Sequence, residues 1–155
     1  MKEIKLNYGL VAQVDDEDFS YLNQFKWYAK KDKKTIYVIA NKTQKNNLHE
    51  SSMARLIMKT PDDLEVDHID HNGLNNQKSN LRNCSRNENM QNKTSSSSSG
   101  YLGVHINRNK YIVAHIKIKN KMAHLGTFKT IEDAAKAYDK KAKELYGEFA
   151  NLNFK

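Results

Sequence analysis

Residues 64–92 read LEVDHIDHNGLNNQKSNLRNCSRNENMQN, and this stretch sets the architecture of the N-terminal half of the 155-residue chain. Its opening segment, Glu65–His68, is predicted to be a short β-strand. Asn72 and Gly73 follow as strong turn residues. Residues 79–82 are predicted to form a second extended segment. The stretch therefore favours a hairpin with its turn at Asn72-Gly73.

A short helix is predicted directly after this hairpin, because Ser85 can cap it and Glu88 stands at the capping-box position. A carboxylate and an amide oxygen are hard ligands that suit Mg²⁺. A neutral imidazole can take a proton from water near pH 7. The hairpin and helix would bring four such polar side chains into one cleft: Asp67, His68, Asn80 and Asn89. This set predicts a site for metal-assisted phosphodiester hydrolysis.

A zinc site formed by His68, Asp70 and His71 is an alternative for the same stretch. The chain has a single cysteine, Cys84, and therefore lacks the pattern of four soft ligands that is typical of structural zinc sites. An isolated Asp-His pair or an asparagine-rich run is usually a surface loop. Only the whole set at this spacing indicates a hydrolytic site.

The stretch resembles the HNH nucleases, in the branch found in phage homing endonucleases. The matching residues are Asp67-His68, Asn75-Asn76, Asn80-Leu81-Arg82 and Glu88-Asn89, with Asn89 in place of the second histidine of the family name. The resemblance implies that His68 is the general base and that Asn80 orients the His68 loop. It also implies that Asp67 and Asn89 hold one divalent ion, Mg²⁺ or Mn²⁺.

The preceding residues extend this resemblance through Val14-Asp15-Asp16, Lys26-Trp27-Tyr28 and Arg55-Leu56-Ile57-Met58. The family pattern often has a histidine where this chain has Ala54. That departure favours a rival interpretation, in which the chain is a non-catalytic, sequence-specific DNA-binding regulator with a decayed nuclease half.

The composition indicates a polyanionic partner. The formal net charge is +8 and the pI is about 9.4. Residues 1–92 carry 14 basic against 13 acidic side chains, whereas residues 93–155 carry 12 against 5. The C-terminal part is therefore predicted to supply most of the attraction to nucleic acid.

The location expected from the sequence is the cytoplasm, or the host-cell cytoplasm if the chain is phage-encoded. A single cysteine fits a reducing compartment. No apolar run approaches the roughly 18 to 20 residues of a membrane span, and the N-terminus lacks the apolar core of a signal peptide.

The rest of the N-terminal half is predicted to be α+β. Residues 3–14 form one or two strands, and the acidic run 15–18 caps a following helix. Residues 26–29 and 35–39 form a hairpin, in which Trp27 and Tyr37 belong to the core. Residues 52–58 form a short helix beneath the 64–92 hairpin. The nuclease domain is expected to span 1–92, with a ββα-metal core at about 57–92.

Residues 93–100 include five serines and a glycine, and this composition predicts a flexible linker. The domain after it, residues 101–155, is predicted to be a three-stranded antiparallel sheet packed on one helix. Its strands follow the alternation at 102–106, 112–118 and 123–125. The helix spans 131–146, from the cap at Thr130 and Asp133 to the stop at Gly147. Its predicted apolar stripe consists of Ile131, Ala134, Ala135, Tyr138, Ala142 and Leu145.

The sheet face opposite the helix is predicted to bind DNA. It carries Val113 and Met122 among basic, aromatic and polar side chains, and no acid occurs between Glu88 and Glu132. Such a face can lie in the major groove, with lysines on phosphates and polar tips on base edges. The residues assigned to DNA contact on this face and its turns are His105, Asn107, Arg108, Lys110, Tyr111, His115, Lys117, Lys119 and His124. An RNA-binding module is disfavoured, because exposed aromatic pairs that stack unpaired bases are missing.

This C-terminal stretch also resembles the ethylene-response-factor type of DNA-binding domain, over residues 100–154. The resemblance rests on motifs at 101–104, 114–116, 125–128, 134–139 and 152–154: YLGV, AHI, LGTF, AAKAYD and LNF. It implies that the sheet reads the major groove of double-stranded DNA. The arginines and tryptophan frequent on the family's reading face are replaced here by His105, Asn107, Met122 and His124, so no target sequence follows. A monomer is expected, with a dimer left open.

Overall fold

The structure is a computed structural model that describes residues 1–32, 35–40, 52–91, 99–119 and 121–154. Its elements mix helices and strands, as predicted for an α+β chain. Contacts between Cα atoms divide the chain into two units, Met1–Arg86 and Asn87–Lys155. The predicted linker at 93–100 lies mostly outside the described residues, so that boundary stays a prediction. None of the helices in the described ranges has the length and apolar character that a membrane crossing requires.

The described part of the first unit consists of three antiparallel hairpins and two α-helices. Each hairpin pairs strands that are neighbours in sequence. In chain order the elements are β1 (Lys2–Lys5), β2 (Val11–Val14), α1 (Asp16–Leu22), β3 (Trp27–Asp32), β4 (Thr35–Ala40), α2 (Met53–Met58), β5 (Glu65–His68) and β6 (Leu81–Cys84).

One hydrophobic core joins these elements. Trp27 is 3% exposed, and its indole Nε1 donates a 2.8 Å hydrogen bond to the carbonyl oxygen of Leu22. The prediction that Tyr37 also belongs to the core is wrong, since 39% of it is exposed. Alternation along β4 turns Val38 and Ala40 inward and Tyr37 outward.

The acidic run at the start of α1 differs in part from the prediction. Asp16, Glu17 and Asp18 occupy the first helical turn, where their negative charges interact favourably with the positive end of the helix dipole. Asp15 makes no capping hydrogen bond. Its carboxylate instead accepts hydrogen bonds from the backbone N–H of Lys78 at 2.8 Å and from Nε2 of Gln77 at 3.1 Å.

The extended conformation predicted for residues 79–82 is wrong at its start. Lys78–Asn80 form a 3-10 turn, and β6 begins only at Leu81. The turn is closed by a 2.9 Å hydrogen bond from the Asn80 N–H to the carbonyl oxygen of Gln77. Because Asp15 holds both Gln77 and Lys78, a contact distant in sequence fixes this local conformation.

The turn at Asn72-Gly73 packs closely against β4. A Cβ atom added to Gly73 would lie 1.8 Å from the backbone oxygen of Ile36. We expect Gly73→Ala to lower the free energy of unfolding by about 3 kcal/mol or more, since overpacking against backbone cannot relax through a rotamer change. Urea unfolding measures the effect.

The matched control for this prediction is Gly9→Asn. Gly9 has φ +69 and open space around an added Cβ, and asparagine tolerates that conformation. Its cost should stay below about 1 kcal/mol. Equal destabilisation by the two variants would contradict the close approach of the turn to β4.

The second unit begins with most of α3 (Arg86–Gln91) and continues as a three-stranded antiparallel sheet and a long helix. The sheet has the order β7-β8-β9. Its elements are β7 (Val104–Ile106), β8 (Ile112–Ile118), β9 (Lys121–Phe128) and α4 (Ile131–Tyr146), followed by a 3-10 turn at Gly147–Phe149.

Helix α4 has the predicted bounds. The side chain of Thr130 accepts a 3.1 Å hydrogen bond from the N–H of Asp133, and Gly147 ends the helix at φ +54. Ala134, Ala135 and Ala142 are buried, but Leu145 is 38% exposed, so the predicted apolar stripe does not extend to the last turn.

Strand β8 has its predicted bounds, whereas β7 and β9 differ from theirs. β7 starts only at Val104, because Gly103 has φ +69 and lies where a Cβ would come within 2.1 Å of the Tyr138 ring. β9 is the longest strand instead of the shortest. Val113 lies on the open face as predicted, since it pairs with His105 on β7, but it is only 8% exposed.

Candidate active site

The β5–β6 hairpin brings three of the four predicted site residues into one neighbourhood. Asp67 lies opposite Arg82, and His68 lies opposite Leu81. The ladder continues past β5, because the N–H of Ile69 donates to the carbonyl oxygen of Asn80 at 2.9 Å. Alternation along β5 buries Asp67 and leaves its neighbour His68 partly accessible.

Asp67 is held by an ion pair across the hairpin. Its Oδ2 accepts hydrogen bonds from Nε of Arg82 at 2.8 Å and from Nη2 at 2.6 Å. The side chains of Asp67 and Arg82 are only 7% and 13% exposed. Burying a carboxylate is costly unless it is paired, and Arg82 supplies that pairing for Asp67. The sequence pattern includes Arg82 in a motif but assigns it no role.

His68 is oriented by a residue that the sequence pattern leaves without a role, Asn76. The Nε2 atom of His68 lies 3.3 Å from Oδ1 of Asn76. Asn76 is 1% exposed, and its Nδ2 donates to the carbonyl oxygen of Gly73 at 3.2 Å. Since the amide nitrogen faces that carbonyl, the amide oxygen faces His68, and Nε2 of the imidazole carries the proton.

Burial lowers the pKa of His68 from its ordinary value, although the hydrogen bond to Asn76 and the carboxylates of Asp70 and Asp67 act to raise it. The ordinary value for histidine is near 6.5. A pKa below that value keeps the imidazole neutral at pH 7, the form that can accept a proton.

Asn80 and Asp70 fasten the loop that follows His68. Oδ1 of Asn80 accepts from the N–H of Asp70 at 3.0 Å, and Nδ2 of Asn80 donates to Oδ1 of Asp70 at 2.8 Å. The same Nδ2 donates to the carbonyl oxygen of Asn75 at 2.9 Å. Burial acts to raise the pKa of Asp70, but hydrogen bonds from Asn72, Asn75 and Asn80 and the charge of His68 hold it below its usual value.

Two further attachments connect this loop to the N-terminal hairpin. The N–H of Gln13 donates to the carbonyl oxygen of Leu74, and the N–H of Asn76 donates to the carbonyl oxygen of Gln13, each at 2.8 Å. Lys78 forms ion pairs with Glu17 and Asp18 on α1. Strand β2 and helix α1 therefore support the loop between His68 and Asn80.

Helix α2 supports the approach to β5. Arg55 donates from Nη1 to the carbonyl oxygen of Leu64 at 2.7 Å and from Nη2 to that of Pro61 at 2.8 Å. Ala54, where the family pattern often has a histidine, is 4% exposed and belongs to the hydrophobic core. At this position the chain gains packing in place of an ionisable group.

Asn89, the fourth predicted site residue, lies half-buried on α3 in the second unit. Its pairing with Asp67 as a metal ligand stays a prediction. Within the described ranges, no three His, Cys, Asp or Glu side chains converge in a way that could hold a metal ion. The alternative zinc site therefore lacks support, since Asp70 is engaged with three asparagines.

The residues assigned to DNA contact lie at the surface of the second unit. His115 is half-buried, and the rest are exposed: His105, Asn107, Arg108, Lys110, Tyr111, Lys117, Lys119 and His124. Asn107 also shapes the turn before β8, because its Oδ1 accepts from the N–H groups of Asn109 at 3.0 Å and Tyr111 at 2.9 Å. The role of the nine assigned residues in binding DNA stays a prediction.

Comparison with known proteins relates the chain to one family. A family model described as HNH endonuclease matches residues 59–91. An uncharacterized HNH endonuclease of Acanthamoeba polyphaga mimivirus is 37% identical over 148 residues, which cover 94% of this chain and 75% of that relative. No solved structure matches. The resemblance of residues 100–154 to a DNA-binding domain stays a prediction.

Proposed function

This chain belongs to the HNH endonuclease family, and we propose that it is a homing-type enzyme that hydrolyses phosphodiester bonds in duplex DNA, with His68 as the general base. The observation that carries the proposal is the hydrogen bond between His68 and the buried Asn76. It supports an oriented, neutral imidazole, the form of histidine that can accept a proton from the attacking water.

HNH nucleases generally use a divalent metal ion. The carboxylate of Asp67 and the amide oxygen of Asn89 are hard donors that fit one Mg²⁺ or Mn²⁺. Arg82 engages Oδ2 of Asp67 and holds the carboxylate in place. When bound, the ion would neutralise the negative charge that develops on the phosphate and the leaving oxygen.

The other residues of the site are assigned positioning roles. Arg82 pairs with Asp67 and fixes its carboxylate across the hairpin. Asn80 and Asp70 tie the loop after His68 to β6. The imidazole is thereby presented with little freedom, which favours proton transfer in one geometry.

The open face of the β7-β8-β9 sheet is assigned to duplex DNA. Its lysines and Arg108 would neutralise phosphates, and the polar tips would contact base edges. The excess of basic over acidic side chains after residue 92 supports this assignment. We propose a monomer acting in the host-cell cytoplasm, encoded by a phage or another virus.

A supercoiled-plasmid assay tests the proposal. The protein is incubated with Mg²⁺, with Mn²⁺ or with EDTA, and the conversion to nicked and linear forms is followed. Cleavage with either metal and none in EDTA is expected. Binding without cleavage in every condition would instead favour the non-catalytic regulator.

Binding to duplex DNA should also weaken steeply with salt. If about five phosphates are contacted, the slope of log K against log salt is about −4 to −5. An affinity that does not change with salt would contradict the DNA-binding role proposed for the sheet. The cleavage assay tests the nuclease activity independently of this result.

Asn76→Ala should lower kcat for cleavage by about 10- to 100-fold with little change in KM, because a partner that orients a functional histidine is lost. Asn23→Ala, an exposed asparagine at the end of α1, is the matched control and should cleave normally. Thermal unfolding checks that the variant remains folded at the assay temperature. A raised KM with unchanged kcat would contradict the orienting role.

A further inference from the structure

A cluster of three histidines spans the open face of the C-terminal sheet, with one from each strand. His105 comes from β7, His115 from β8 and His124 from β9. The ring centroids of His105 and His115 are 5.8 Å apart, and those of His115 and His124 are 5.0 Å apart. His115 and His124 are register partners, and Nε2 of His115 lies 3.2 Å from Nδ1 of His124.

The ionisable groups around this histidine cluster are cationic or neutral. Strand β7 adds no other ionisable side chain, β8 adds Lys117 two residues beyond His115, and Lys121 on β9 pairs with Ile118 and so points to the other face. Helix α4 packs on that other face, where Ile112, Ala114 and Leu125 meet Ala134 and Ala135. No Asp or Glu occurs between Glu88 and Glu132, so the strands carry no carboxylate that would hold a proton on these rings.

The bond between His115 and His124 limits how many protons the pair takes up. One ring nitrogen must donate and the other must accept, so the neutral pair and the singly protonated pair both keep the bond. A second added proton would place two N–H groups face to face. Burial lowers the pKa of His115, and the neighbouring His124 and His105 lower it further. A proton on His115 is therefore disfavoured in the free protein.

We propose that this histidine cluster couples DNA binding to proton uptake, so that the sheet binds duplex DNA with higher affinity as the pH falls from 7.5 to 5.5. The proposal rests on the DNA-binding role proposed above for this face. Phosphates placed over the cluster would supply the negative charge that the strands lack. They would thereby raise the pKa of the histidines in the complex above that in the free protein.

The direction of the effect follows from linkage. The protonated cluster is favoured in the complex, so the extra affinity is fully present below the pKa of the free cluster. It is lost as the pH rises through the higher pKa of the complex. If DNA binding raises the proton affinity of one histidine tenfold, the gain in DNA affinity cannot exceed about tenfold, and we expect about fivefold between pH 7.5 and 5.5.

Fluorescence anisotropy with a labelled duplex tests the proposal on the full-length protein. EDTA is present throughout so that no cleavage occurs, and ionic strength is held constant. The wild-type Kd should fall at least about fivefold between pH 7.5 and 5.5. The triple variant His105→Gln, His115→Gln, His124→Gln should change less than about twofold over the same range.

His71→Asn is the matched control, since it removes a histidine from the first unit at a position with φ +64 that asparagine tolerates. It should keep the wild-type pH response. If the triple variant does not fold, His105→Gln and His124→Gln alone should each reduce the response, because both side chains are exposed.

A pH-independent wild-type Kd, or an unchanged pH response in the triple variant, would overturn the proposal. In a separate titration without EDTA, a response that appears only with added Zn²⁺ would also overturn the proposal and would make the histidine cluster a metal site. Cleavage of plasmid at pH 7.5 is measured separately, so failure of proton coupling and failure of the nuclease function are distinguishable.

Discussion

Replacing His68 with alanine is expected to lower the rate of metal-dependent DNA cleavage by about 10²- to 10⁴-fold, the range typical of a lost general base. The imidazole of His68 is the assigned base, because Asp67 is paired with Arg82 and Asp70 is engaged by asparagines. Single-turnover cleavage of supercoiled plasmid measures the loss, with DNA binding measured in parallel.

The matched control for His68→Ala is His71→Asn. His71 lies in the same loop, and its N–H donates to the carbonyl oxygen of His68 at 3.0 Å through the backbone alone. This variant should keep most of the wild-type rate. Added imidazole should restore part of the activity of His68→Ala, since a base that diffuses into the site can replace the missing ring. Equal cleavage by the wild type and His68→Ala would remove the proposed mechanism.

Arg82→Met is expected to lower the free energy of unfolding by about 3–5 kcal/mol, the cost of leaving a buried charge without its partner. The partner is Asp67, whose side chain is 7% exposed, so solvent compensates little. Urea unfolding in EDTA measures the effect. Arg108→Met, an exposed arginine in the second unit, should change stability by less than about 0.5 kcal/mol.

A double variant separates the ion pair from simple packing loss. Asp67→Asn combined with Arg82→Met should be less destabilised than the sum of the single variants, because Asp67→Asn removes the negative charge that Arg82→Met leaves without its cation. Mg²⁺ should also raise the unfolding temperature of Arg82→Met more than that of the wild type, since the Asp67 carboxylate then lacks the charge of Arg82 and attracts the cation. Additive effects and an equal response to Mg²⁺ would contradict the account of Asp67.

Local sequence cues were sufficient where the structure depends on neighbours in the chain. Asn72 marks the turn after β5, because its Oδ1 accepts from the N–H of Leu74, and Thr130 and Gly147 mark the ends of α4. Each of these cues acts within a few residues, through a side-chain bond to the backbone or an accessible backbone conformation. The strand at Glu65–His68 and the three-stranded sheet were predictable for the same reason.

Contacts between distant residues were not predictable in this way. The carboxylate of Asp15 accepts a hydrogen bond from the N–H of Lys78, 63 positions away. This contact stabilises a 3-10 turn where the sequence predicted the start of a strand. The amide oxygen of Asn76 faces His68 because the amide nitrogen donates to the carbonyl oxygen of Gly73. No periodicity in the sequence encodes which asparagine of an asparagine-rich run faces the histidine.

The hydrogen bonds that join Asp15 and Gln13 to the loop around Asn76 have a consequence for attempts to shorten this protein. A fragment that begins at α2 would retain the whole catalytic motif in sequence. It would lack the two backbone hydrogen bonds made by Gln13 and the carboxylate of Asp15, all of which hold the loop in place. Such a truncated fragment, or the same motif grafted onto another scaffold, should hold its histidine in many orientations and cleave poorly for that reason alone.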